Sequence, residues 1–328
     1  MNPEHIAELA ELKSRIETEV RETVVGQEQV LSEIMIALIA GGHALLVGVP
    51  GLAKTRLIKT VAGSLGLQFR RIQFTPDLMP SDVTGMEVLE EEVGSGRRST
   101  RFVQGPVFTN MLLADEINRT PPRTQAALLE AMQERQVTIG RRTYKLEDPF
   151  FVLATQNPIE QEGTYPLPEA QLDRFMLQIQ VPYPQLGEEL AIALMDPVIE
   201  PAPAKAVITP EQLLGKRDLV RGIVVAEAIA AYAVSLVRAS RPADPSCPHN
   251  LKSQIAWGAG PRASQYLILS ARVRAALNGR MYVAVDDIRD SAYGVLQHRI
   301  LPSYVAESEG VSSSELVRRL LDAIPAPA

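Results

Sequence analysis

Lys54 and Thr55 stand directly after a turn that contains Gly48, Pro50 and Gly51. The apolar run before this turn predicts a buried strand, and apolar residues at helical spacing after it predict an amphipathic helix. Phosphate-binding loops have this order of strand, glycine turn and helix, because free backbone N–H groups and the helix dipole then face the phosphate oxygens. The spacing predicts that Lys54 reaches the β- and γ-phosphates of a nucleotide and that the Thr55 hydroxyl ligates Mg²⁺.

One residue departs from the usual pattern of such loops, because Ala53 stands where a second glycine normally precedes the lysine. Alanine is small and fits this position without strain if its φ angle is negative, so the departure weakens the motif without cancelling it. The alternative is an ordinary glycine turn between a strand and a helix. The residues of this segment that we expect to contact a nucleotide are Gly48, Val49, Pro50, Gly51, Leu52, Ala53, Lys54 and Thr55.

A second apolar run, residues 111–114, ends in the adjacent carboxylates Asp115 and Glu116. An aspartate at the end of a buried strand holds Mg²⁺ through its water shell, and the next carboxylate is then placed to polarise a water for attack on the γ-phosphorus. A third apolar run ends at Asn157, whose amide either contacts the γ-phosphate or its attacking water, or simply caps the strand before Pro158. Three such strand ends favour ligand binding at the carboxyl edge of an open α/β sheet.

These residues resemble the AAA+ ATPases, and within them the MoxR group, over about residues 24–299. Segments 48–55, 112–119 and 154–158 look like the Walker A, Walker B and sensor 1 motifs of that group, in which alanine before the lysine is not unusual. Residues 24–27 resemble the segment that borders the adenine. The resemblance implies an α/β P-loop core, with a parallel sheet flanked by helices, and a C-terminal all-α lid domain. It also implies that ATP and Mg²⁺ bind, and that the adenine side of the site includes Val25 and Gly26.

Two arginines complete the resemblance. Residues 169–175 are similar to the box that carries the trans-acting arginine finger, and residues 258–263 are similar to the sensor 2 motif at the start of a lid helix. An arginine finger on the far side of the sheet cannot serve its own site, so a neighbouring subunit completes each site in a ring. The implied catalytic residues are Glu116, Asn157, Arg174 and Arg262, of which Arg262 also contacts the nucleotide, and the implied Mg²⁺ ligands are Thr55 and Asp115.

The expected domain organisation is an N-terminal helix (1–22), a nucleotide-binding core (23–184), a linker broken by prolines that include Pro197 and Pro201 (185–205), and a helical lid domain (206–328). Two elements of the core resemble this branch of the family. They are a helix-2 insert at about 86–104 and a hairpin around Gly140, at about 135–146. In related rings such elements face the central channel or the substrate; the alternative is two surface hairpins without a special role. Within the lid, Asp286 is predicted to be the N-cap of a helix.

The chain has 328 residues, a hydrophobic fraction of 46% and a formal net charge of −6, with a pI near 5.4. This length and composition allow a sizeable core, in two domains. An acidic chain without a long basic stripe argues against dedicated nucleic-acid binding. The hairpin residues Arg141, Arg142 and Lys145 nevertheless leave a local basic patch open as an alternative.

Cys247 is the single cysteine, so the chain has no intramolecular disulfide. This cysteine usage is compatible with a reducing compartment, and we expect a cytoplasmic protein. Residues 34–53 carry no formal charge, which is the pattern that a membrane span requires. Because Gly41, Gly42 and Pro50 interrupt the run, we expect a helix followed by a buried strand, and no membrane span.

The resemblance implies Mg²⁺-dependent hydrolysis of ATP by a homo-hexameric ring that remodels or matures protein complexes. MoxR relatives often act with a von Willebrand factor A-domain protein, and that partner is implied by the resemblance alone. The alternatives are an ATP-gated scaffold with little turnover, a chelatase-like motor and a nucleic-acid motor of the same clade. An intact Glu116 and Arg174 disfavour the scaffold, which needs neither residue.

Overall fold

The computed structural model describes residues 3–91, 98–159, 163–196 and 202–327. The centre of the fold is a five-stranded sheet in which every pairing is parallel. All carboxyl ends of the strands therefore lie at one edge of this sheet, the carboxyl edge, and all amino ends lie at the other, the amino edge. In spatial order the strands are β2 (Phe69–Gln73), β5 (Met111–Asp115), β8 (Phe151–Gln156), β1 (Ala44–Val47) and β9 (Leu177–Gln180).

The central strands are apolar at nearly every position, because helices cover both faces of the sheet. Alternate residues of a strand point to opposite faces. In β1, Leu46 belongs to a core cluster that includes residues of the N-terminal and C-terminal helices, whereas Leu45 belongs to a second cluster with Leu128 and Met132. The sheet is therefore the middle layer of three. Helices α2 (Glu28–Ala40) and α3 (Lys54–Ser64) contribute to the first cluster, and α5 (Pro122–Glu134) contributes to the second.

Two antiparallel hairpins project from this core. The first follows α4 (Pro80–Thr84) and pairs β3 (Gly85–Glu91) with β4 (Arg98–Gln104); its predicted residues 92–97 lie outside the described part of the chain. The second pairs β6 (Gln136–Ile139) with β7 (Arg142–Lys145), so the hairpin predicted around Gly140 is confirmed. Gly140 has a φ of 59°, the left-handed conformation that such a tight turn requires.

The C-terminal region is mainly helical and contacts the sheet through β9. The N-terminal helix α1 (Pro3–Arg21) packs on α3 and on α11 (Pro261–Leu277) of this region. Of the predicted proline linker, Pro197 and Pro201 lie outside the described residues. The remaining elements are α6 (Glu169–Leu172), α7 (Leu186–Ala193), α8 (Pro210–Arg221), α9 (Glu227–Ala239), α10 (His249–Lys252), β10 (Ile255–Trp257), α11 (Pro261–Leu277), α12 (Val285–Leu296), β11 (Leu301–Pro302), α13 (Tyr304–Ser308) and α14 (Ser313–Ala323).

The prediction that Asp286 caps a helix is wrong. Helix α12 begins at Val285, and its N-cap is Ala284, which offers no side-chain acceptor. Asp287 compensates from inside the first turn, because its Oδ2 accepts the backbone N–H of Ala284 at 2.8 Å. Among the described residues, no helix is both long enough and apolar enough to cross a membrane.

Candidate active site

The glycine loop joins the end of β1 to the start of α3 at the carboxyl edge. Gly48 lies against the end of β9, where a Cβ atom would stand 2.8 Å from the Cβ of Val181, so only glycine fits. Gly51 has a φ of 87° and open space around it, which leaves room for a ligand against the backbone. The Lys54 ammonium folds back over the loop, where its Nζ donates to the carbonyl oxygen of Gly48 at 2.7 Å.

The backbone donors of this loop are left for a ligand or solvent. Within the described part of the chain, the N–H groups of Val49, Gly51, Leu52 and Ala53 donate to no protein acceptor. Burial lowers the pKa of Lys54, while the nearby carboxylates of the second strand end act in the opposite direction by favouring its charged form. Open donors, a lysine and the start of a helix together fit a polyphosphate.

Ala53 does not meet the condition under which alanine fits this position without strain. Its φ is 53° and its ψ is 21°, so the residue is left-handed. This conformation costs an L-residue with a Cβ about 1–2 kcal/mol. The loop therefore holds Ala53 in the left-handed conformation that glycine adopts without strain, and the alanine is strained there.

Asp115, at the end of β5, is held by two neighbouring strands. Its Oδ1 accepts from the Thr155 hydroxyl at 2.6 Å, and its Oδ2 accepts from Arg71 Nε and Nη2 at 3.0 and 2.7 Å. A carboxylate at this place and a threonine hydroxyl at the start of α3 are oxygen donors of the kind that Mg²⁺ takes, with water and phosphate supplying the rest. Oxygen donors of this kind fit a magnesium ion, and the assignment of Thr55 and Asp115 as its protein ligands stays a prediction.

Glu116 is held in a strained backbone conformation next to Asp115. Its φ is 56°, and its N–H donates to the Thr155 hydroxyl at 2.8 Å. Its Oε2 accepts from Gln73 Nε2 at 2.5 Å and from Arg119 Nη1 at 2.9 Å. Left-handed non-glycine residues persist where their surroundings over-determine them, which is common at active sites. The carboxylate therefore has a fixed position at the carboxyl edge.

Asn157 and the adenine segment also lie at the carboxyl edge. Asn157 directly follows β8, which separates β5 from β1, and its buried Oδ1 accepts the N–H of Ile159 at 3.2 Å. Gly26 has a φ of 70°, and a Cβ there would stand 2.6 Å from the carboxylate of Glu188 in α7. The structure thus brings the loop, both carboxylates and Asn157 to one edge. Contact of these residues with a nucleotide remains a prediction.

Arg174 and Arg262 lie at the amino edge of the sheet, away from the glycine loop. Both arginines line a cavity of about 390 Å³ together with Gly41, Gly42 and His43, the residues that lead into β1. The path from His43 to Gly48 runs along the whole of β1, roughly 15 Å at about 3.3 Å per residue. The structure therefore brings the two arginines together but does not bring either of them to the glycine loop of their own chain.

The two arginines differ in what holds them. Arg262 Nη1 donates to Asp173 Oδ2 at 2.8 Å. Within the described residues, the guanidinium of Arg174 makes no hydrogen bond or ion pair. An arginine beside an open cavity without a carboxylate partner is suited to an anion from outside the chain.

Sequence reasoning missed the residues that hold this site. Most of them are far from their partners along the chain, so spacing carries no signal for those; Arg119, three residues after its partner Glu116, is the exception. The register of the sheet, once it is known, identifies such residues, because it places Gln73 opposite Asp115 on the neighbouring strand. The missed residues are Arg71, Gln73, Arg119, Thr155, Asp173 and Arg299.

The sheet order, the glycine loop and the paired carboxylates define a P-loop ATPase of the AAA class. Residues 43–177 match the family model described as "ATPase family associated with various cellular activities (AAA)", and residues 249–320 match the AAA lid domain. A crystal structure of a protein from Cytophaga hutchinsonii, provisionally named an ATPase, superimposes with a TM-score of 0.90 at 41% identity. That match covers 99% of this chain and 98% of the other.

Two curated relatives narrow the class. Chaperone MoxR1 of Mycobacterium tuberculosis is 43% identical over 94% of this chain and 81% of its own length. Protein MoxR of Methylorubrum extorquens is 32% identical over 96% of this chain and 95% of its own. The chain belongs to the MoxR family of AAA+ ATPases, as its glycine loop and strand ends indicate.

Proposed function

We propose that this ATPase hydrolyses ATP with Mg²⁺ at sites shared between subunits, and that it acts as a ring-forming chaperone. In this proposal the backbone donors of the glycine loop and Lys54 bind the phosphates, with Val25 and Gly26 beside the adenine. Thr55 and Asp115 hold Mg²⁺, which supplies charge neutralisation at the phosphates when it is bound. Glu116 accepts a proton from the attacking water, and Asn157 orients that water or contacts the γ-phosphate.

The observation that carries this proposal is the separation of the arginines from the glycine loop. Arg174 and Arg262 line one cavity at the amino edge. The residues of the same chain that are predicted to bind the phosphates lie at the carboxyl edge. A head-to-tail contact between two copies places the amino edge of one against the carboxyl edge of the next. Both arginines then act on the neighbour's γ-phosphate. This replaces the simpler assignment in which Arg262 contacts the nucleotide of its own chain.

A head-to-tail contact uses different surfaces on the two copies, so it repeats until the rotation closes a ring. A homo-hexamer is the ring size that the family resemblance favours. The two hairpins, β3–β4 and β6–β7, project from the core and are the elements proposed to face a client protein. Met86, Val88 and Leu89 of the first hairpin are exposed, which suits contact with apolar client surface. A von Willebrand factor A-domain partner is proposed from the resemblance alone.

A mixing experiment tests the shared site. Glu116→Gln removes the base but keeps the arginines, and Arg174→Ala removes the finger but keeps the base. Each variant alone is expected to bind ATP and to lose turnover. Mixed rings contain some interfaces with an intact Glu116 on one side and an intact Arg174 on the other, so ATP hydrolysis is expected to return in part.

The mixing result also separates the alternatives. Formation of mixed rings is checked by the molecular mass of the assembly and by co-purification of the untagged variant with the tagged one. No recovery in rings shown to be mixed contradicts the shared site. Tight ATP binding with negligible turnover by the unmodified protein, at concentrations where it assembles, supports the scaffold instead.

A further inference from the structure

The segment that carries Arg174 is fastened to the C-terminal helical region by three consecutive residues, Gln297, His298 and Arg299. They follow α12 and bind the backbone of the chain as it runs from Asp173 into β9. Gln297 Nε2 donates to the carbonyl oxygen of Gln178 at 2.7 Å, and His298 Nε2 lies 3.1 Å from that of Phe175. We call these three residues the clip.

Arg299 makes the largest number of these contacts, and its side chain is only 3% exposed. Its Nη2 donates to the carbonyl oxygens of Asp173 and Phe175 at 2.9 and 2.6 Å, and its Nε donates to Asp173 Oδ1 at 2.7 Å. The guanidinium also lies over the ring of Tyr266, 5.2 Å from its centroid. A buried guanidinium with this many acceptors fixes the backbone on both sides of Arg174.

Asp173 joins the clip to the second arginine. One of its carboxylate oxygens accepts from Arg299 and the other accepts from Arg262 Nη1 at 2.8 Å. The carboxylate thus stands between the end of α12 and the start of α11, on the residue just before Arg174. A displacement of either helix therefore moves the backbone of the finger and the guanidinium of Arg262 together.

We propose that Asp173 and Arg299 are positioning residues that make Arg174, Arg262 and the C-terminal helical region one moving unit. The position of that region then decides whether both arginines reach the neighbouring subunit's nucleotide. This inference rests on the proposed shared site, and it adds which residues set the geometry of the arginines and which part of the chain moves them.

The test uses Asp173→Asn, which keeps the size of the side chain and removes its charge. Arg299 and Arg262 donate to different oxygens of Asp173, and in asparagine one of these oxygens is replaced by an NH₂ donor, so one of the two contacts is lost. Since a misplacement of about 1 Å costs on the order of 10²-fold in rate, we expect kcat to fall about 10- to 100-fold. The KM for ATP is expected to stay within about twofold, because the glycine loop is untouched.

Mixing distinguishes a positioning role from general damage. Asp173→Asn keeps Glu116, so its rings with Glu116→Gln are expected to regain hydrolysis just as those of Arg174→Ala do. The conservative Asp173→Glu variant keeps two acceptor oxygens and is expected to retain more activity than Asp173→Asn.

The matched control is the pair of Arg280 with Asp287, a second arginine–aspartate pair of the helical region that does not touch the finger. Its two contacts are 2.6 and 2.7 Å, and Asp287 is 2% exposed. Asp287→Asn is expected to lower the unfolding temperature at least as much as Asp173→Asn, with kcat per folded protein unchanged.

Three outcomes overturn the inference. They are a loss of turnover in Asp287→Asn as large as that in Asp173→Asn, a rise in KM without a fall in kcat for Asp173→Asn, and no recovery when Asp173→Asn is mixed with Glu116→Gln. If Arg174→Ala also fails to recover in the same mixing assay, the shared site itself is contradicted. If Arg174→Ala recovers and Asp173→Asn does not, only the positioning role fails.

Discussion

The two edges of the central sheet are built differently. At the carboxyl edge, the groups that are expected to meet phosphate and Mg²⁺ come from strand ends and one loop, and Asp115 and Glu116 are each held by several hydrogen bonds. At the amino edge, two arginines line an open cavity, and one of them has no partner within the described residues. In the proposed function, the carboxyl edge binds the nucleotide, and the amino edge supplies arginines to the nucleotide of the neighbouring subunit.

From this difference we expect the carboxyl edge to determine ATP binding and the amino edge to determine ATP hydrolysis. Changes at the carboxyl edge are expected to alter what an isolated subunit binds. Changes at the amino edge are expected to alter what an assembled pair turns over, and to leave the isolated subunit's binding intact. The two classes of variant therefore separate by measurement of ATP affinity in dilute protein and of hydrolysis in concentrated protein.

The largest effect is expected for Arg174→Ala. By analogy with other phosphoryl-transfer systems, loss of a trans-acting arginine costs about 10³–10⁵ in kcat. The affinity of dilute protein for a fluorescent ATP analogue should not change, because the cavity lies at the amino edge. Affinity that falls together with turnover contradicts the division between the edges.

Lys54→Ala, at the carboxyl edge, is expected to weaken the binding of ATP itself. A hydrogen bond to a charged group contributes about 1.5–3 kcal/mol, so the affinity for ATP is expected to fall roughly 10- to 100-fold in dilute protein. Titration of the analogue at constant protein concentration measures this loss. Lys59→Ala, an exposed lysine on the same helix, is the control and should bind normally.

We expect the amino edge to be sensitive to acid, because two buried histidines, His43 and His298, lie there. Burial lowers the pKa of His43 to about 4, and burial together with the adjacent Arg299 lowers that of His298 well below its ordinary value. The unfolded chain binds these protons below about pH 6.5 and the folded chain does not, so stability is complete above that pH and falls below it. Protonation of His43 in the unfolded chain is expected to cost roughly 2 kcal/mol of stability between pH 6.5 and pH 5, and His298 adds a loss of the same sign.

Urea unfolding across this pH range measures the slope. His43→Gln removes one titrating group, so its stability should fall less steeply between pH 6.5 and pH 5 than that of the unmodified protein. A slope unchanged by the substitution shows that the acid sensitivity lies elsewhere in the molecule.

The smallest effect is expected at Ala53. Glycine adopts the left-handed conformation without a Cβ penalty, so Ala53→Gly should raise the free energy of unfolding by up to about 1 kcal/mol. Ala53→Val places a β-branched side chain in the same conformation and should lower it. If glycine destabilises the protein, the strain assigned to Ala53 is not released in the way the φ angle indicates.

Sequence predicts the carboxyl edge better than the amino edge, for a physical reason. The glycine loop, Lys54 and the pair Asp115–Glu116 are local patterns, in which strand, turn and helix succeed one another within a few residues. The groups that hold them depend on sheet register. Arg71, for example, reaches Asp115 across 44 residues of chain.

The amino edge depends on contacts that are longer still. Arg299 binds Asp173 across 126 residues, and neither residue stands in a pattern that marks the other. Resemblance to a family identified Arg174 and Arg262 as candidates, but it did not place Arg262 at the edge opposite its own glycine loop. The backbone of Ala53 was also out of reach, since residue type alone favours a negative φ there.

The distance between the glycine loop and the arginine cavity has a consequence for partly built assemblies. In an open row of subunits joined head to tail, the subunit at one end has a glycine loop that receives no arginines from a neighbour. The subunit at the other end has arginines that contact no neighbouring nucleotide. Closure of the row into a ring completes both sites. In an open ring, the subunit whose glycine loop faces the gap is therefore expected to hydrolyse ATP last, because no neighbour supplies its arginines.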